Sequence, residues 1–327
     1  MATSNPTEPS AADARLAPLD EVPPPWPDGA ALAVSFVVNV EEGAELSLGD
    51  ADERNESLHE IDEEVHGAPD LCLRSHFAYG PRAGYRRIVA AFEREGVVAT
   101  FSCCGRAAER LPWLLRDASA RGHELAAHGW RWERHAGMDE ATERAAIART
   151  AIAIERASGL APRGWHTRSS ASVRTRQLLV EHGGFAYDSD AYDDDVPRIE
   201  MLGAHAHVVL PYAFDTNDMR FAPGAGFVHA GDFSRYVLAA FERLLAEGRE
   251  AARMLSIGLH LRTIGRPARI GALEEVLATI ASRPDVWCAT RGAIAARWRE
   301  ANGLPAFAPR DRRATADTDD IDGGERG

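Results

Sequence analysis

Asn39-Val40-Glu41-Glu42-Gly43 sets two adjacent carboxylates and a glycine directly after an apolar run, residues 31–38, that reads as a buried β-strand. Neighbouring carboxylates repel, so one proton affinity is expected to rise and the other to fall. A pair split in this way supplies a proton acceptor together with a polar or metal-holding group. His128, His166, Asp188 and His260 also stand at the ends of short apolar segments. A histidine in that setting titrates near neutrality, which suits His260 to the role of general acid. Glu41 or Glu42 suits that of a base for water. His128, in His128-Gly129-Trp130-Arg131-Trp132, has three open roles: metal ligand, donor to an oxyanion, or partner of backbone. Arg262, Arg266 and Arg269 follow His260 and offer forked donors to a polar or anionic substrate. Asp188 is the inward-facing candidate of Tyr187-Asp188-Ser189-Asp190. Asp193-Asp194-Asp195 lacks calcium-loop spacing and reads as solvated.

The elements that would carry these groups alternate. Strands are expected at 31–38, 97–102, 124–127, 164–166, 185–187, 208–210, 254–259 and 286–289. Helices are expected at 81–96, 106–121 (broken near Pro112), 139–158, 173–182, 233–247, 270–281 and 292–300. That rhythm argues for a parallel sheet wrapped by helices. In a closed barrel the ends of such strands converge on one mouth. An open doubly wound sheet is the alternative, but no GxGxxG follows the first strand. Residues 44–80 form a long acidic insertion with His59, His66 and His76, either a cover for a site or a surface loop. Residues 1–28 read as a flexible leader, 29–305 as the barrel domain and 306–327 as a disordered tail.

Composition removes several classes of function. The 327 residues carry a formal net charge of −13, with no basic block to hold nucleic acid. The chain has no lysine, which excludes Schiff-base chemistry, a phosphate-loop lysine and a Ser–Lys nucleophile. The four cysteines, Cys72, Cys103, Cys104 and Cys288, lack structural-zinc spacing and are expected as reduced thiols in a cytoplasm. Neither a secretory signal nor an apolar run long enough to span a membrane occurs.

Taken in order, the Asn39–Gly43 segment, His128-Gly129-Trp130-Arg131-Trp132, Gly164-Trp165, Tyr187-Asp188-Ser189-Asp190 and Leu259-His260 resemble the polysaccharide deacetylase superfamily. Among its branches they are most similar to the metal-independent allantoinase branch and the cyclic-imide hydrolases. Tyr79-Gly80-Pro81-Arg82-Ala83-Gly84, Leu210-Pro211-Tyr212, Asp215-Thr216-Asn217-Asp218-Met219-Arg220-Phe221 and Gly265-Arg266-Pro267 extend the resemblance, which covers about residues 30–300. It implies a distorted (β/α)7-type barrel. It further implies Glu41 as base, with Glu42 and His128 at metal-ligand positions should a metal bind. Arg82, Trp165, Asp188, Asn217, Arg262 and Arg266 are the implied substrate contacts. Trp132 stands where the family pattern His-Ser/Thr-x-x-His places its second metal histidine, and His135 lies three residues later. Two protein ligands are fewer than a catalytic zinc takes. No cofactor is therefore expected, with Zn2+ or another divalent ion as the alternative. Gly164-Trp165-His166-Thr167-Arg168 departs from the branch's Gly-Trp-Tyr-Thr-Gly-Arg, with histidine in place of tyrosine.

The expectation is a hydrolase of a non-peptide C–N bond in a small cyclic amide, ureide or imide. Water is activated by Glu41, Glu42 and His128 orient it or stabilise the oxyanion, and His260 protonates the leaving nitrogen. The alternatives are N-deacetylation of an amino sugar or polysaccharide, and a non-catalytic small-molecule binding protein. The partner expected is a small-molecule substrate, with a homo-oligomer as an open case and neither nucleic acid nor membrane.

Overall fold

The computed structural model describes residues 21–309 except His59, Asp62 and Ser169. The sheet has nine strands: β1 (Leu32–Val40), β2 (Thr100–Cys103), β3 (Glu124–Ala127), β4 (Gly164–Trp165), β5 (Tyr187–Asp188), β6 (Arg198–Leu202), β7 (His205–Val209), β8 (Met254–His260) and β9 (Val286–Cys288). Their order is β6-β7-β5-β4-β3-β2-β1-β8, parallel except for the β6–β7 hairpin. One edge of β1 pairs with β8 from Ala33 to Asn39. Its other edge pairs first with β9 at Leu32–Val34 and then with β2 at Val37–Val40.

Among the described residues the α-helices are α1 (Leu71–Tyr79), α2 (Tyr85–Glu95), α3 (Gly105–Arg110), α4 (Pro112–Ala120), α5 (Glu140–Ser158), α6 (Thr175–His182), α7 (Ala230–Glu247), α8 (Pro267–Ala281) and α9 (Arg291–Ala301). Capping residues set several of their ends. Asp139 accepts from the Thr142 amide to start α5, and Gly159, at φ +82°, ends it. Along β1, Val34, Phe36, Val38 and Val40 pack into the core shared with the helices, so the alternate residues, ending in Asn39, face the barrel interior.

The barrel is distorted because, among the described residues, no strand joins the two ends of the sheet, the β6–β7 hairpin and β8. Residues 210–218 cross that gap instead. The Leu210 amide donates to the Asp188 carbonyl, and Asn217 forms a single parallel bridge with Gly258 of β8. The buried Arg291 guanidinium ties the closure from inside. It donates to Ser189 Oγ (2.8 Å), Ser256 Oγ (3.1 Å) and the carbonyls of Leu210 (3.0 Å) and Pro211 (2.8 Å).

Three local expectations change. The insertion is not all loop, since α1 occupies its last part and runs through a π-helical turn, Gly80–Gly84, into α2. Pro81 lacks the amide that an α-helical ladder needs there, which accounts for the wider turn. The strand β6, absent from the sequence reading, is half-exposed and pairs only with β7. The leader was expected to be flexible through residue 28, yet Trp26 is buried against Trp287 and Trp298 and donates to the Arg253 carbonyl. The rest of the expected leader, 1–20, and residues 310–327 of the expected tail lie outside the described residues.

Candidate active site

Register places the candidate groups. Val40 pairs with Cys103, Cys103 with Ala127, and Asn39 with His260. Glu41, one residue past β1, and His128, one residue past β3, therefore share a rim with His260 at the end of β8. The Glu41 carboxylate is only 4% exposed and lies between the two imidazoles. Its Oε1 is 3.6 Å from His128 Nε2 and its Oε2 is 3.8 Å from His260 Nε2. Arg262 Nη1 donates to Oε2 at 2.9 Å, and Arg168 Nε stands 3.9 Å from Oε1.

Both imidazoles are committed on their far side. His128 Nδ1 is 2.6 Å from the His166 carbonyl, which can only accept, so Nδ1 carries the proton. His260 Nδ1 donates to Asp218 Oδ1 at 2.6 Å. Asp218 Oδ2 in turn accepts the amides of His260 (2.8 Å) and Ile264 (3.0 Å). Each Nε2 is thereby aimed at Glu41 across a gap longer than a hydrogen bond.

The electrostatics follow from these neighbours. Burial pushes the Glu41 carboxyl up, but His260, the nearby His128 ring, Arg262 and Arg168 together bring it well below the usual range. Glu42 goes the other way: burial raises it to about 7, against a smaller pull from Arg262. This is the split expected of the pair. Burial lowers His260, yet Asp218 and Glu41 outweigh it and the ring titrates above its ordinary value. Burial, then His128 and Arg291, hold His166 far below its own.

The family model for polysaccharide deacetylases matches residues 69–186. A putative polysaccharide deacetylase of Schizosaccharomyces pombe is 36% identical over 296 residues, 84% of this chain and 92% of that protein. Two solved structures superpose with TM-scores of 0.82 at 40% identity, each over 87% of this chain and 96% of theirs. They are a probable polysaccharide deacetylase of Pseudomonas aeruginosa and the PuuE allantoinase. The chain belongs to the polysaccharide deacetylase family. It is a hydrolase acting on carbon–nitrogen bonds other than peptide bonds.

Within this family member the two expected metal positions are not joined. Glu42 accepts the backbone amides of Arg262 (Oε1, 3.2 Å) and Glu41 (Oε2, 3.2 Å), while His128 faces Glu41. Glu42 lies so close under the π-helical turn that a β-carbon on Gly80 would stand 2.4 Å from its Oε1. Trp132, at the second metal-histidine position, is buried and carries the Arg168 guanidinium 3.5 Å above its ring. His135 is buried on Glu143 at 3.1 Å. His66 is exposed beside Glu64, His76 lies 3.8 Å from Glu60, and His59 is outside the described residues. Among the described residues no three His, Cys, Asp or Glu side chains converge as a metal site. The donor set does not fit a catalytic metal.

The six expected substrate contacts separate. Arg262 reaches the cluster, where its Nη1 donates to Glu41 and its Nε to Glu60 Oε1 at 3.2 Å, and it lies over Phe77 and Trp132. Arg266 is a buttress, stacked on Tyr79 and bonded to His76 and the Arg262 carbonyl. Asn217 caps the Asp218–Phe221 turn and donates to the Tyr212 hydroxyl. Trp165 is sealed in the core and donates to Thr167 Oγ1. Asp188 lies on the outer side of β5, paired with Arg176 (2.7 Å) and His207 (2.9 Å). Arg82 is exposed and has no partner in the cluster among the described residues.

Asp218 and Arg168 are the site members that the sequence reading did not assign. In sequence Asp218 looks like Asp215 three residues earlier. The bridge from Asn217 to Gly258 decides which of the two faces His260. Among the described residues no helix is long and apolar enough to cross a membrane, and the four cysteines are free.

Proposed function

We propose that this hydrolase opens a small cyclic amide, ureide or imide, with Glu41 as base and His260 as acid. The observation that carries the reading is one carboxylate held between two imidazoles whose Nδ1 atoms are both committed elsewhere. A water bound by Glu41 attacks the carbonyl carbon and yields its proton to the carboxylate. His128 orients that water. As the C–N bond breaks, the nitrogen takes the proton that the raised affinity of His260 keeps on Nε2. The Glu41 proton then passes to His260, and both groups are restored. Glu42 takes no proton in this scheme; it braces the turn through two amides.

Enclosure favours a small substrate over a polysaccharide. Glu41, His128 and Arg262 are each at most 4% exposed, and Glu60 of the insertion accepts from Arg262. N-deacetylation is the second reading, favoured by the deacetylase names of the S. pombe and P. aeruginosa relatives. The test is turnover by purified protein of allantoin, hydantoin, succinimide and N-acetylglucosamine oligomers. Ring opening is the expected activity. Acetate release from the oligomers alone would replace the reading with the second one.

A further inference from the structure

Residues of two altered motifs meet in space. Trp132 stands at the second metal-histidine position, and Arg168 directly follows His166-Thr167 in the third motif, where the glycine before the arginine is missing. The arginine guanidinium lies 3.5 Å over the indole ring and 3.9 Å from Glu41 Oε1, on the oxygen that also faces His128. Stacking fixes a guanidinium by its face and leaves its in-plane N–H groups open. Those of Arg168 have no hydrogen-bond acceptor among the described residues, and 3.9 Å is beyond hydrogen-bond range of Glu41. Neighbouring arginines are committed. Arg262 holds Glu41 and Glu60, Arg266 holds His76 and a carbonyl, and Arg291 holds four oxygens of the barrel interior. The Arg168 side chain keeps 24% exposure, so a substrate can reach it.

We propose that Arg168 is a catalytic residue: presented on Trp132, it binds the carbonyl oxygen under attack and stabilises the oxyanion, the electrophilic role for which this site has no metal ligand set. The assignment rests on the hydrolase reading above. When water adds to the carbonyl carbon, the C=O electron pair moves onto oxygen, and the guanidinium fork meets that charge. When the C–N bond breaks, the pair returns and the nitrogen takes its proton from His260.

The test uses Arg168→Ala and Arg168→Lys in the full chain, on the best substrate of the wild type. Removing one oxyanion donor typically costs about 10²–10³-fold in kcat. That loss is expected in Arg168→Ala, with KM changed far less and with added guanidinium restoring part of the rate. Arg168→Lys keeps charge without fork or stack and is expected to fall between, and it serves if the alanine variant does not fold. Trp132→Phe should keep most of the rate and Trp132→Leu should not, because only the first retains a ring for the cation.

Loss of Arg168 also removes a positive charge near Glu41, so the acid limb of the rate profile should move to higher pH. If full rate returns above that limb, Arg168 acts only through Glu41 and the proposal is overturned. A kcat within about threefold of wild type would overturn it as well, as would a loss confined to KM. Both ring opening and N-deacetylation develop the same oxyanion, so the wild-type substrate panel judges the reading of the site and the Arg168 variants judge this assignment.

Discussion

The two sides of the barrel are built differently. On one side β3, β2, β1 and β8 lie in parallel register, and β1 and β8 pair over seven positions. On the other, β4 and β5 supply two residues each, and 210–218 contributes one bridge. Glu41, His128 and His260, the groups assigned to proton transfer, all end strands of the regular side. The groups that fix their protons, the His166 carbonyl and Asp218, come from the irregular side. Position is thus set by sheet ladders, and protonation by loops that the ladders do not constrain.

The largest effect should come from the regular side. His260→Asn leaves an amide N–H for the Asp218 bond but removes the acid at Nε2, and should lower kcat/KM by about 10²–10⁴-fold, most for poor leaving groups. Equal losses for good and poor leaving groups would make His260 a positioning residue. Asp218→Asn tests the irregular side. Outer partners of functional side chains are commonly worth about 10–100-fold. The loss should be smaller than for His260→Asn, and the alkaline limb of the rate profile should move to lower pH as His260 loses its anionic partner. An unmoved limb would separate the two residues.

The contrast is also visible in what the sequence disclosed. Strand ends His128 and His260 and the carboxylate pair could be read because apolar runs mark where each strand stops. The helix ends at Asp139, Gly159 and Pro112 carried local signals of the same kind. The role of Asp218, the free donors of Arg168 and the capture of Arg262 by Glu41 depend on partners about 40 to more than 200 residues away or on one side-chain stack, and no local pattern encodes either. The α1 helix hid in an acidic segment, and β6 hid because its half-exposed residues show no clean alternation.

A smaller effect concerns stability. Glu42 and Asp190 both titrate at about 7 in the folded chain, chiefly through burial, and His260 titrates above its ordinary value. As pH rises through about 7 the folded state therefore still holds protons that an unfolded chain has already lost, and stability falls. Urea midpoints measured across that window should decline; a rise would contradict the assigned shifts. The smallest effect expected is none at all. Because Glu42 and His128 do not share a site and Trp132 replaces a ligand, exhaustive chelation should leave kcat unchanged. Activity lost on chelation and restored by zinc would move N-deacetylation to first place.

The most direct measurement compares the two neighbouring carboxylates. Glu41→Gln keeps shape and removes the proton acceptor between the imidazoles, and Glu42→Gln alters a group whose oxygens meet only backbone amides and the Arg262 guanidinium. On one cyclic amide, with folding of both variants verified, Glu41→Gln should lose at least about 10²-fold in kcat while Glu42→Gln keeps most of its rate. Near-normal turnover by Glu41→Gln, or an equal collapse of Glu42→Gln, would contradict the account.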